Sequence, residues 1–64
     1  MKINEILTVL QARKDNYIKI IENEKLKLKI TRSSSYKKEI ESYINMYYSR
    51  IDEIDHFIKL LQQQ

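Results

Sequence analysis

Few side chains in this sequence have types and spacing that could carry bond-making chemistry. His56 stands one helical turn after Asp52, so on a helix the pair would share a face and could hold a metal ion weakly. One imidazole and one carboxylate fall short of a metal site's usual ligand set, and a solvated histidine on an outer face is the plainer reading. The chain has no cysteine, which removes thiolate ligands, disulfides and a thiol nucleophile together. Ser49 and the run Ser33-Ser34-Ser35 supply hydroxyls, but no pattern sets a general base beside them. Glycine is absent, so the glycine-rich loops that cradle phosphates are excluded. The expectation is a non-enzymatic chain with no cofactor and no metal.

Two other sets of residues carry the chemistry of recognition. Tyr36, Tyr43, Arg50 and Phe57 recur every seventh residue along one flank, and tyrosine, arginine and large aromatics dominate interface energetics. These are the candidate partner-binding residues. The second set is basic: Lys25, Lys27, Lys29, Arg32, Lys37 and Lys38 fall in a stretch without an acid. Residues 1–24 balance their charges, whereas residues 39–64 carry Arg50 and Lys59 against Glu39, Glu41, Asp52, Glu53 and Asp55. The basic stretch could bind nucleic-acid backbone, with Tyr36 or Tyr43 stacking on bases. It could also meet the acidic end of a second copy packed head to tail. The bland alternative is a solvated turn that keeps a small protein soluble. Glu22, Glu24, Glu39 and Glu41 flank the stretch and dilute it.

The elements that position these residues follow from apolar spacing. Ile3, Leu7, Leu10, Tyr17, Ile21 and Leu28 fall in alternating steps of four and three, with Lys14 and Glu24 in the two vacant places. Such spacing is a helical seam, since a strand would alternate every second residue. Ile6, Ile18 and Ile20 widen this stripe. In the second half, Ile40, Ile44, Tyr47, Ile51, Ile54, Ile58 and Leu61 fill successive seam positions without a polar interruption. Neither glycine nor proline occurs, so no strong helix breaker or tight strand hairpin is available. The fold class is therefore all-α. Its architecture is an antiparallel two-helix hairpin, coiled-coil-like, in a single domain spanning residues 1–64.

The expected boundaries are a helix over 3–30, a polar loop over 31–34 and a helix over 35–62. Serine competes with the backbone for hydrogen bonds, so the serine run suits a helix start, with Ser34 or Ser35 as cap. The rival reading is one unbroken helix, because three serines are a weak stop. Arms of about 28 residues would each run roughly 42 Å at the α-helical rise. Antiparallel pairing about Ser33 sets Lys14 beside Asp52, a candidate pair for fixing register, and Glu24 beside Ser42. The alternative is that both charges reach water along their stems.

The run from Arg50 to Leu61, with its repeated Ile-Asp pairs and terminal Leu-Leu, resembles the first helix of the AroQ-type chorismate mutases. That family opens its domain with this helix and completes the active site with two more. Here the run closes the sequence, and Arg50 is the one residue the resemblance could carry over. The I/D/L heptad pattern recurs in many unrelated helices, and we give the likeness no functional weight. In architecture, a hairpin of this size is similar to the Rop family of plasmid RNA-binding proteins, an analogy of fold that no motif supports.

A chain of 64 residues cannot bury a core worth more than a few kcal/mol without a staple. With disulfides and metals excluded, self-association is the staple left. Two helices alone cannot cover both the seams and the aromatic flank, and isoleucine at both kinds of seam position favours more than two helices. The expectation is a homodimer of hairpins forming a four-helix bundle. The functional expectation is a protein–protein interaction module: an adaptor, an inhibitor or a regulatory accessory protein, of a kind that would suit a phage or mobile element. Nucleic-acid binding through the tip 25–38 is the alternative. The opening residues carry Asn4 and Glu5 where a signal peptide needs an apolar run, and no stretch is apolar enough for a membrane span. A cytoplasmic location is expected.

Overall fold

The computed structural model describes residues 2–63, and within them two α-helices pack side by side. Helix α1 spans Ile3–Ile30 and α2 spans Ser34–Gln62, joined by the three residues 31–33. The hairpin is a thin rod, 48 × 14 × 13 Å. With only two helices, each has a face with no protein behind it.

Local chemistry sets the turn. Helix α1 stops at Thr31, whose N–H donates to the Lys27 carbonyl at 3.0 Å while its hydroxyl donates to the same oxygen at 2.7 Å. These two bonds occupy a carbonyl the helix end would otherwise leave open. Helix α2 then starts one residue earlier than the serine run suggested. Its cap is Ser33, not Ser34 or Ser35: the Tyr36 N–H donates to Ser33 Oγ at 3.4 Å. Ser34 and Ser35 lie within the first turn, and the Ser35 and Ser33 hydroxyls are 3.3 Å apart.

The seams meet along the rod. The buried hydrophobic residues are Ile21 from α1 and Ile40, Ile44, Ile51 and Ile54 from α2. Tyr17, Leu28 and Tyr47 pack half-buried against Ile21, Ile40, Ile44 and Ile51, with the Tyr17 and Tyr47 ring centroids 5.7 Å apart. The imbalance has a sequence cause. Every seam place in α2 is apolar, whereas α1 gives up two of its places to Lys14 and Glu24. Ile3, at the outermost seam place of α1, remains exposed because α2 ends beside it.

The two seam charges behave differently from the pairing expected about Ser33. Lys14 meets Asp55, not Asp52, with Nζ 2.7 Å from Oδ1. Helical side chains lean toward their own N-terminus, so Lys14 reaches back about one turn and arrives opposite a later residue of α2. Glu24 does not turn to Ser42 but accepts from Lys27 on its own helix at 3.2 Å.

Candidate interaction surface

The second helix carries two seams. The first faces α1. The second is the first displaced by one residue: Glu39 precedes Ile40, Tyr43 precedes Ile44, Met46 precedes Tyr47, Arg50 precedes Ile51, Glu53 precedes Ile54, Phe57 precedes Ile58 and Leu60 precedes Leu61. One residue turns an α-helix by about 100°. The second seam therefore looks out at nearly a right angle to the hairpin's own interface, and its residues are exposed. Tyr36, Tyr43, Met46, Phe57 and Leu60 are each between 41% and 57% exposed, values at odds with the usual placing of such side chains.

This surface contains the ridge of Tyr36, Tyr43, Arg50 and Phe57, and Arg50 is exposed with the rest. It also contains Met46 and Leu60, which a search by seven-residue spacing passes over. Their signal in the sequence is the step of three from Tyr43 and Phe57, which turns a row of single residues into a continuous stripe.

Helix α1 extends the same face. A shallow groove of about 190 Å³ runs between the helices, lined by Arg13, Tyr17, Arg50, Glu53 and Phe57 over a floor of Leu10 and Ile54. Arg13 thus stands across the groove from Arg50. The residues preceding α1's seam places include Ile6, Val9 and Ile20, so apolar side chains continue on this side of α1. The opposite flank carries a groove of about 490 Å³ near the open end, lined by Leu7, Ala12 and Ile58 with Thr8 and Gln62, where Gln11 Nε2 donates to Asp15 Oδ1 at 3.1 Å. Lys25 lies on that other flank, its Nζ 5.6 Å from the centre of the Tyr48 ring, within cation–π range.

The basic residues gather at the closed end of the hairpin but are not equivalent. Lys25 is held by Tyr48, and Lys27 is held by Glu24. The hydrogen bond from Lys27 to Glu24, reinforced by the carboxylate's charge, raises the Lys27 pKa above its ordinary 10.5. Lys29, Arg32, Lys37 and Lys38 make no ion pair among the described residues. His56 is exposed, its ring 6.5 Å from that of Phe57, and no cluster of metal-ligating side chains occurs among the described residues. No described helix is long and apolar enough to cross a membrane. Comparison with protein-family models, with curated proteins and with solved structures gave no match.

Proposed function

We propose that this chain is a small non-enzymatic protein–protein interaction module that works as a homo-oligomer, with two hairpins forming a four-helix bundle. The observation that carries this reading is the second seam of α2. Five large apolar side chains stand half-exposed along one stripe, as many as the buried hydrophobic residues among those described. Contiguous exposed apolar patches mark association surfaces, and aromatics with arginine are the residues that anchor them. In a bundle, each helix meets two neighbours at roughly a right angle, which matches the displacement between the two seams. An adaptor, an inhibitor or a regulatory accessory protein would use such a module in the cytoplasm. Tyr43, Arg50 and Phe57 are its proposed anchors, with Tyr36 exposed at the end of the same ridge.

Light scattering after size exclusion tests this directly. The chain should run at twice its formula mass of 7.8 kDa, and Tyr43→Ala with Phe57→Ala should lower that mass or abolish capture of a partner protein. A double variant that changes neither removes the proposal. A second reading, nucleic-acid binding, draws on Lys29, Arg32, Lys37 and Lys38, which project at one end without ion-pair partners. It requires affinity that falls steeply with salt and vanishes when Lys27, Lys29 and Lys37 are reversed to glutamate.

A further inference from the structure

The second seam is complementary to itself when read backwards. From Tyr43 to the end of α2 it runs Tyr43, Met46, Arg50, Glu53, Phe57, Leu60: two apolar residues, a cation, an anion, two apolar residues. Against an antiparallel copy, Tyr43 faces Leu60, Met46 faces Phe57, and Arg50 faces Glu53. Each layer then pairs a residue that opens a three-step with one that closes it, the layer geometry that antiparallel coiled coils use. Every apolar residue meets an apolar one. Both central charges meet their opposites, twice, across a two-fold axis.

We propose that the occupant of this face is a second copy of the chain in that register, with the two-fold axis passing between Arg50 and Glu53 and their ion pairs made reciprocally. This rests on the homo-oligomer reading and adds orientation, register and the residues that specify them.

Helix α1 agrees with the same axis. Arg13 lines the groove beside Arg50 and Glu53, so the axis crosses α1 at that level. Antiparallel pairing there sets Arg13 opposite Asn16 and Val9 opposite Ile20. Val9 is half-exposed in the single hairpin and so gains a partner. Arg50 and Glu53 of α2 and Arg13 and Asn16 of α1 fall into one central layer, flanked by the apolar layers of α2 and by Val9 with Ile20 on α1, beyond which Ile6 lies opposite Asn23. A charged layer costs some stability relative to an apolar one but rejects other registers, because sliding by a heptad buries each charge against Tyr, Met, Phe or Leu.

The register is off-centre on α2, and this has a consequence. The first turns of α2, Ser34 to Ile40, extend past the end of the partner's α2 by roughly 10 Å at the helical rise. The loop, with Arg32, Lys37 and Lys38, projects clear at each end of the dimer. Tyr36 projects with it and lies outside the interface.

Charge exchange tests the register. With Arg13 beside them, Glu53→Arg gives six cations at the centre of a homodimer and should dimerise on the order of a hundredfold more weakly than the parent, whereas the four carboxylates of Arg50→Glu are partly offset by the two Arg13 side chains and should weaken it at least tenfold. Mixing the two variants should yield a one-to-one heterodimer, and the double exchange, Arg50→Glu with Glu53→Arg, should restore the homodimer. Tyr36→Ala should leave dimerisation within about twofold of the parent, whereas Phe57→Ala should weaken it at least tenfold. Single variants that dimerise like the parent, or a mixture that stays apart, overturn the register while leaving the homo-oligomer reading standing. A parent chain that is monomeric at every concentration, and gains mass only with a foreign protein, overturns both.

Discussion

The Lys14 ammonium lies 2.7 Å from the Asp55 carboxylate, linking a seam position of α1 to the flank of α2. The two side chains are 26% and 40% exposed, so water screens the pair, and its net contribution is no more than about 1 kcal/mol. Asp55→Asn should therefore lower stability by about 0.5–1 kcal/mol, and Asp52→Asn should leave it unchanged. Lys14→Met should raise it, because a methionine fills the seam place without a charge to solvate. Thermal denaturation followed by circular dichroism checks all three. A large loss from Asp52→Asn would place the pairing one turn away from where it is described.

Ile40 is 2% exposed and Ile30 is 81% exposed, although both are isoleucines flanking the turn. Ile40→Ala leaves a cavity in the tightest part of the core and should cost about 2–5 kcal/mol. For a hairpin this small that approaches the whole stability, so the variant should be largely unfolded at room temperature. Ile30→Ala should fall within about 0.5 kcal/mol of the parent, as surface substitutions do. Chemical denaturation of the two variants side by side gives the comparison.

Which parts of this arrangement could be read from the residues depends on what decides each of them. The seam of α2 was legible because seven apolar side chains keep one spacing without interruption, and in the structure all of them are buried or half-buried. The partner of Lys14 was not legible from pairing about the turn. Counting residues gives the level of a Cα atom, whereas the contact is set by where a long side chain leans. The cap could not be chosen among three adjacent serines, since their side chains are the same. What separates them is where α1 ends, and the Thr31 bonds to the Lys27 carbonyl settle that. The exposed ridge was found by its aromatics. Met46 and Leu60 went unread because neither belongs to a seven-residue repeat of large rings, and Arg13 because its place beside Arg50 depends on how α1 is rotated against α2.

Ser33 accepts from the Tyr36 N–H at 3.4 Å, a long bond, so the cap should be worth the lower part of the usual range. Ser33→Ala should cost about 0.5–1 kcal/mol, and Ser34→Ala should be neutral or slightly stabilising because alanine is the better helix former. Ser33→Asp should keep the cap and add about 0.3–1 kcal/mol from a negative charge at the start of α2, where the first turn contains no acid. Equilibrium denaturation distinguishes these outcomes. A greater loss from Ser34→Ala than from Ser33→Ala would assign the cap to the wrong serine.

Helix α1 places one residue in the buried core and α2 places four, so a solitary hairpin leaves most of α1's seam and the whole second seam of α2 half-covered. If that face is closed by a second copy, folding and association are one equilibrium, and the melting temperature must depend on protein concentration. Each tenfold rise in concentration should add about 1.4 kcal/mol per mole of dimer to the apparent stability. Ile30→Ala, far from the second seam, should shift with concentration as the parent does. Phe57→Ala should remain helical only at higher concentration. Circular dichroism melts across two decades of concentration measure this, and a fully helical chain whose melting temperature does not move would mean that the hairpin is stable alone and that its exposed stripe has another use.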